Sequence, residues 1–159
     1  MVAHQGLLQR LKKVLKLSML FNESQIRGIT TELQVAQKFI EAGYIVSVPY
    51  GNNSRYDLLV DTDNNIYRIQ VKHASLNENG SYIVETCNKV VTTSQKRVKN
   101  YTKEDIDCFA TIIENQLVVI PVECVGNAKS KTFRTELPKY GNISQCNLIQ
   151  NFTREKYIL

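Results

Sequence analysis

The most informative part of the sequence is residues 55–73, which read RYDLLVDTDNNIYRIQVKH. The polar cluster at residues 63–65 is typical of a tight turn, so the apolar runs on either side predict two antiparallel strands. Side chains two apart share one side of a strand, so Gln70 and Lys72 project together from the second strand. Asp57 comes just before the first. These three polar groups are therefore expected to share one face of a short hairpin.

A helix is predicted to precede this hairpin, over about residues 22–42. Asn22 can cap its start, and Gly43 follows its end, where a positive φ costs glycine little. The helical spacing predicts a core-facing apolar stripe made of Ile26, Ile29, Leu33, Ala36 and Ile40. Glu32 interrupts the edge of this stripe, so its carboxylate is expected to point toward whatever the helix covers.

Other strand-like runs lie at Ile45–Pro49, Tyr82–Thr86, Cys108–Glu114 and Leu117–Val122, the last two forming a hairpin around residues 115–116. Pro121 should end pairing or lie on an edge strand. A last helix is predicted near Ser144–Phe152. The order of elements predicts an α/β (α+β) domain, with a mixed, mainly antiparallel central sheet of three or four meandering strands flanked by helices.

The charge of the chain is unevenly distributed. The 159 residues include 20 Lys and Arg against 15 Asp and Glu, a net charge of +5. Four of the basic residues fall within residues 1–22, which hold no acid, so the remainder is close to neutral. We interpret residues 1–21 as a basic amphipathic helix or arm, and residues 22–159 as a single domain. The arm could dock on the domain or on a second subunit, contact DNA, lie on a membrane surface, or act as a transit peptide.

The four cysteines, at positions 87, 108, 124 and 146, are widely spaced and form no CxxC motif, which disfavours a zinc site. They favour free thiols in a reducing, cytoplasmic compartment. No apolar stretch approaches the ~20 residues needed to cross a bilayer, so we expect no membrane span.

The region Gly28–Lys72 resembles the core of the PD-(D/E)xK nuclease superfamily. The resemblance is carried by Glu32, by the run Arg55–Asp61 and by Ile69–Lys72. It extends over roughly residues 22–125 and implies a restriction-endonuclease-like core. The chain is most similar to the small endonucleases encoded in group I introns, and secondarily to archaeal Holliday-junction resolvases. It departs from the namesake pattern because Tyr56, not Pro, precedes Asp57, and because Gln70 stands at the second acidic position.

This resemblance implies a catalytic site of Glu32, Asp57, Gln70 and Lys72. Asp57 and Glu32 would hold Mg²⁺ (or Mn²⁺) with help from the Val71 carbonyl, and Gln70 would orient the cluster. Lys72 would position or activate the attacking water and offset charge on the phosphate. Without Glu32 the metal would have a single carboxylate. His73 is expected on the opposite face from Lys72 and is left outside the site.

Double-stranded or branched DNA is the implied partner. Candidate phosphate contacts are Asn53 and Arg55 beside the site and Lys89, Lys96, Arg97 and Lys99 in the basic segment 89–103. One site cuts one strand, so a homodimer or homotetramer is expected. The function is predicted to be that of a homing-type or restriction-like double-strand cutter. The alternatives are a junction resolvase, an inactive DNA-binding protein on the same fold, and a structural or membrane-surface protein led by the N-terminal helix.

Overall fold

The computed structural model of the chain describes residues 22–51, 53–91, 96–138 and 146–158, without the side chains of residues 89–91 and 96–98. The predicted N-terminal helix or arm, residues 1–21, lies outside the described residues. The predicted boundary between that arm and a single domain therefore stays a prediction.

In the described part of the chain the first element is helix α1, Glu23–Glu41. Its predicted cap is confirmed, because the Asn22 Oδ1 accepts from the Gln25 N–H at 2.8 Å and the Gln25 Oε1 accepts from the Asn22 N–H at 2.9 Å. This reciprocal pair satisfies two backbone donors that a helix start otherwise leaves open. Gly43 follows the helix with φ of +89°, a conformation that favours glycine.

The buried face of α1 differs from the predicted stripe, of which Ala36 alone packs against the core. Thr31, Val35 and Phe39 are buried, whereas Leu33 is 67% and Ile40 60% exposed. Ile26 and Ile29 are also about half exposed, at 48% and 44%. Positions 31, 35 and 39 follow helical spacing too, and the larger Phe39 anchors that face. The helix thus carries two apolar faces, and spacing alone does not tell which one the sheet covers.

The strands follow α1 in the order β1 (Ile45–Ser47), β2 (Leu58–Asp61), β3 (Ile66–Val71), β4 (Ala74–Leu76), β5 (Tyr82–Glu85), β6 (Cys87–Val91), β7 (Lys96–Asn100), β8 (Cys108–Ile113), β9 (Gln116–Pro121), β10 (Ser130–Arg134) and β11 (Asn147–Leu148). Single 3-10 turns lie at Val122–Cys124 and Ile149–Asn151, and a short helix α2 at Arg154–Tyr157.

The central sheet has five strands in the order β1-β2-β3-β8-β9. The predicted antiparallel hairpin is confirmed, with Leu58 opposite Ile69 in the β2–β3 pair. All pairs in this sheet are antiparallel except β3–β8, which is parallel. A parallel pair needs a long connection, and residues 72–107 provide it.

The connection contains strands β4 to β7. Strands β6 and β7 form a two-stranded ribbon, and β4 and β5 join the later strands β10 and β11 in a second sheet, in the order β11-β10-β5-β4. The predicted fourth strand, Tyr82–Thr86, exists as β5 but pairs in this second sheet and does not extend the meander. The helix predicted near Ser144–Phe152 is wrong for its described part, where a two-residue strand precedes a 3-10 turn.

Two hydrophobic clusters cover the two faces of the central sheet. On one face, Val35 and Phe39 of α1 pack against Leu58, Val60 and Ile69. On the other, Phe109 and Ile120 of the central sheet join Val84 and Phe133 of the second sheet. The central sheet is therefore a buried middle layer. The predicted fold class, a mixed and mostly antiparallel α+β architecture, is confirmed.

The β8–β9 hairpin turns at Glu114 and Asn115, whose φ angles are +47° and +63°. Two positive φ values are typical of the two-residue turn whose twist matches antiparallel strands. Pro121 pairs with Cys108 at the end of β9, an edge strand, as predicted for a residue without an N–H.

Candidate active site

The site is built at the end of the β2–β3 hairpin where β2 begins and β3 ends. The Asp57 N–H donates to the Ile69 carbonyl at 2.8 Å, which places Asp57 beside the last residues of β3. The Val71 N–H then donates to the Asp57 Oδ2 at 2.7 Å, and the Gln70 Nε2 donates to the same oxygen. The carboxylate is thus held by one backbone and one side-chain donor from the neighbouring strand.

The parallel neighbour β8 fixes the other side of β3. Gln70 lies opposite Phe109, and the Lys72 N–H donates to the Ala110 carbonyl at 3.0 Å. Gln70 is only 8% exposed, so its side chain is held in place by its surroundings. Site residues on a central strand with neighbours on both sides are more rigid than residues on a loop.

One cavity of about 400 Å³ receives the predicted site residues. It is lined by Glu32 from α1 and by Asp57, Gln70, Val71 and Lys72 from the hairpin. A second cavity, of about 340 Å³, is also lined by Glu32 and Asp57, together with Val48, Pro49, Gly51, Ser54 and Tyr56. The two carboxylates therefore border both cavities.

Both carboxylates of the site have pKa values above their usual range. Burial raises the pKa of Glu32, and the nearby charge of Asp57 raises it further. Burial also raises the pKa of Asp57, although the Val71 N–H, Lys72 and Gln70 act in the opposite direction. A cation bound between these two partly buried acids would favour their charged forms and lower their pKa values.

Lys72 supplies the positive group of the site. Burial lowers its pKa, while Asp57 is the largest of the negative groups that oppose this effect. Its Nζ lies 5.4 Å from the centroid of the Tyr101 ring. The ammonium is thus half-buried beside an aromatic face and close to the carboxylate pair.

The donor set fits a hard divalent cation. In the described residues no group of three or more His, Cys, Asp and Glu gathers as a metal centre. Mg²⁺ does not need one, because it commonly takes one or two carboxylates and fills its other positions with water and phosphate oxygens. Glu32, Asp57 and the Val71 carbonyl offer oxygen ligands only, which suits Mg²⁺ or Mn²⁺ and not zinc.

Simple surface pairing does not account for the site acids. Arg27 lies 3.6 Å from Glu23, and Lys38 lies 3.3 Å from Glu41. These helix pairs direct both basic groups to other acids and not to Glu32. Arg55 similarly pairs with Asp105 at 3.2 Å, so it is not the partner of Asp57.

The predicted DNA contacts are only partly described. Asn53 and Lys99 are exposed. Arg55 is partly exposed and held by Asp105. The side chains of Lys89, Lys96 and Arg97 lie outside the described residues, although their backbones form the β6–β7 ribbon. The described part of the basic segment 89–103 therefore lies largely in this ribbon.

His73 lies beside helix α1. It lines the same cavity as Lys72, and its Nδ1 lies 3.2 Å from the Thr31 Oγ1. Burial and the nearby Arg27 lower its pKa. Lys72 instead contacts Tyr101, which packs on Phe109 at the other face of the central sheet. The two side chains therefore leave the chain in different directions, as strand alternation predicts.

Three neighbours of the site were not among the predicted site residues. Ser75 and Glu85 line the cavity, and Tyr101 faces Lys72. They belong to β4, β5 and the residue after β7, in the long connection between β3 and β8. Residue spacing within one strand does not show where such a connection returns.

No helix in the described part of the chain is long and apolar enough to span a membrane.

Comparisons with known proteins identify the family and the fold. Protein 5.3 of Escherichia phage T7 is 29% identical over 105 residues, which is 62% of this chain and 80% of that protein. The bacterial homing endonuclease I-Ssp6803I shares the fold, with a TM-score of 0.72 at 16% identity over 86% of this chain and 93% of that one. The sequence profile of the PD-(D/E)XK endonucleases matches residues 22–155. The chain therefore belongs to the PD-(D/E)XK endonuclease family.

Proposed function

We propose that this nuclease is a Mg²⁺-dependent DNA endonuclease that cuts both strands of a duplex at a specific site, as homing-type and restriction-like enzymes do. One observation carries the proposal: two carboxylates with raised pKa values share a cavity with a lysine ammonium. Phosphodiester hydrolysis needs oxygen ligands for a cation and a positive group near the attacked phosphate. The cavity supplies both.

Glu32, Asp57 and the Val71 carbonyl would hold Mg²⁺ or Mn²⁺. When bound, the ion supplies Lewis-acid stabilisation of charge on the phosphate. Gln70 has no charge to offer, and its role is to donate to Asp57 and fix the direction of that carboxylate. This arrangement leaves Glu32 as the second carboxylate of the site.

Lys72 stabilises the negative charge that grows on the phosphate during attack. Its ammonium is half-buried, and fixed charges act more strongly where water is excluded. It also donates hydrogen bonds that can hold a water molecule in line with the scissile bond. The proton of that water passes to solvent or to a phosphate oxygen, because Lys72 is already protonated in this role.

The partner we propose is duplex DNA, gripped through its phosphates. Lys99 is exposed on the ribbon, and Asn53 is exposed near the site. Polar and basic side chains of this kind contact phosphates without dependence on base sequence. Two strands need two sites, so we propose a homodimer or homotetramer. We place the activity in the cytoplasm, a reducing compartment suited to the free cysteines.

The first prediction tests this site by cleavage. Lys72→Ala and Asp57→Asn should each lower the rate of cleavage by roughly 100- to 1,000-fold, the usual cost of losing one group that stabilises transition-state charge. Matched controls are Lys38→Ala and Glu23→Gln, which alter surface ion pairs on α1. The substrates are supercoiled plasmid, genomic DNA with the new ends mapped by sequencing, and a four-way junction, each with Mg²⁺ and with EDTA.

Each outcome has a distinct meaning. Cleavage that survives both site substitutions contradicts the proposed site. Cleavage of the junction alone favours a resolvase-like enzyme. DNA binding without cleavage of any substrate, in Mg²⁺ or Mn²⁺, favours a binding protein that lost activity.

A further inference from the structure

Tyr101 contacts a residue of the site, Lys72, although it comes from a distant part of the chain. It directly follows β7, which ends at Asn100. The side chain is 8% exposed, and its ring meets Phe109 edge-on, with centroids 5.4 Å apart and planes at 87°. Phe109 belongs to the core between the two sheets. The Tyr101 ring is therefore clamped by the core and has a fixed orientation.

The face of the Tyr101 ring is turned toward the flexible side chain of Lys72. The Lys72 Nζ lies 5.4 Å from the ring centroid, within the ~6 Å at which a cation is attracted to an aromatic face. Lysine carries a compact charge on a flexible four-carbon stem. The nearby carboxylates of Asp57, Glu85 and Glu32 also attract the ammonium, so it could occupy more than one position.

We propose that Tyr101 is a positioning residue for Lys72, its ring face holding the ammonium at the cavity shared with Glu32 and Asp57. The inference rests on the proposed function, since it gives Tyr101 a part in catalysis only through Lys72. The ring does not touch the substrate in this account. It limits the ammonium to one region of the cavity. The lysine side chain is then already oriented toward the phosphate when DNA binds.

A second, simpler role for Tyr101 must be separated from this one. A buried aromatic ring also stabilises the fold by its volume, and any smaller residue would leave a gap beside Phe109. The two roles respond differently to ring electronics. Fluorination of a phenyl ring weakens its attraction for a cation while it nearly preserves shape and apolar surface.

The first measurement is of contact. In protein labelled with ¹³C-lysine, the Lys72 ε-methylene signals are assigned with Lys72→Arg and should lie upfield because of the ring face. Tyr101→Phe should keep that upfield shift, and Tyr101→Leu should abolish it. The matched control is Lys131, whose Nζ lies 5.3 Å from the Phe152 ring and whose shift should not respond. Unchanged Lys72 signals in Tyr101→Leu would overturn the proposal.

The second measurement is of catalysis. Position 101 is filled in the full chain with Phe, difluoro-Phe and pentafluoro-Phe. Tyr101→Phe should cut DNA as fast as wild type, and kcat should then fall with each step of fluorination, by roughly 3- to 10-fold over the series, with KM unchanged. A flat series, or a loss in Tyr101→Phe equal to that in Tyr101→Leu, would overturn the positioning role.

Failure of the proposed function would look different. If wild type cuts no DNA, the contact measurement still decides, together with ¹³C relaxation of the Lys72 stem. Greater motion of that stem in Tyr101→Leu, with unchanged motion at Lys131, supports positioning. Equal motion in both proteins contradicts it.

Discussion

Gln70 shows how a neutral residue can serve a site that a carboxylate occupies in the namesake motif. It donates to Asp57 from a buried position on β3. An acid there would place a second negative charge against the same carboxylate. In the proposed site the second metal-binding carboxylate is therefore Glu32, which lines the cavity from α1.

Glu32 therefore carries a cost in the metal-free protein. Its folded-state pKa is raised, so folding disfavours its charged form. The cost develops as the pH rises from the unfolded-state pKa to the folded-state pKa, and it is complete above both. Glu32→Gln should thus raise the Tm in EDTA by about 2 °C at pH 8, and this gain should shrink near pH 4.

Calorimetry of wild type, Glu32→Gln and the surface control Glu23→Gln at both pH values checks this. Glu23 is exposed and pairs with Arg27, so its substitution should bring no gain. A Glu32→Gln protein that is less stable than wild type at pH 8 would show that the Glu32 carboxylate is not under strain.

At the scale of elements, α1 presents two apolar faces and buries only one. Val35 and Phe39 are fully buried, whereas Leu33, at the centre of the predicted stripe, is 67% exposed. Periodicity identified the helix, its cap and its end, because these depend on neighbours in sequence. It chose the wrong face, because that choice depends on the shape of a sheet formed by residues 45–121.

This reversal gives a stability prediction. Phe39→Ala should lower the free energy of unfolding by about 3–5 kcal/mol, since it removes a large buried side chain. Leu33→Ala should change it by less than about 0.5 kcal/mol, as for most surface substitutions. Urea denaturation of full-length protein measures both. A cost of 2 kcal/mol or more for Leu33→Ala would mean that another segment or another subunit covers the exposed face.

The sequence was a good guide to the β2–β3 hairpin and to its polar residues for the same local reason. The turn at residues 63–65 sets the register, and strand alternation then places Gln70 and Lys72 on one face. The prediction from this alternation also agrees with His73, which contacts Thr31 of α1 while Lys72 contacts Tyr101. It was silent on Tyr101 and Glu85, whose approach to Lys72 depends on the path of a long connection.

At the scale of the whole molecule, the central sheet lies between two layers. Its three middle strands, β2, β3 and β8, each pair with a strand on both sides. The parallel pairing of β3 with β8 is the feature that the sequence did not reveal. It results from a connection that first builds β4, β5 and the ribbon. Only the assembled sheet shows that β5 belongs to a second layer.

The four free cysteines differ in burial, so their reactivity gives a test of the whole fold. Cys108 is buried in the central sheet, and burial raises its pKa to about 12, so little thiolate is present at pH 8. Cys87 is buried as well, whereas Cys124 is exposed and Cys146 is half-buried.

A thiol reagent at pH 8 should therefore label Cys124 quickly and Cys146 more slowly. Cys87 and Cys108 should react only as fast as the protein unfolds. Mass spectrometry of labelled peptides follows each site, and Cys124→Ser removes the fast phase as a control. Rapid labelling of Cys108 in native protein would contradict the buried position of β8.

The pairing of β3 with β8 also determines when the proposed site is complete during synthesis of the chain. The strand with Gln70 is completed by residues 108–110, and Tyr101 reaches Lys72 from the same later part of the chain. A nascent chain that ends before these residues holds Asp57 and Lys72 on an unsupported hairpin, which is marginally stable in water. The proposed site is thus complete only when translation has passed about two thirds of the sequence, so shorter fragments left by stalled ribosomes lack it.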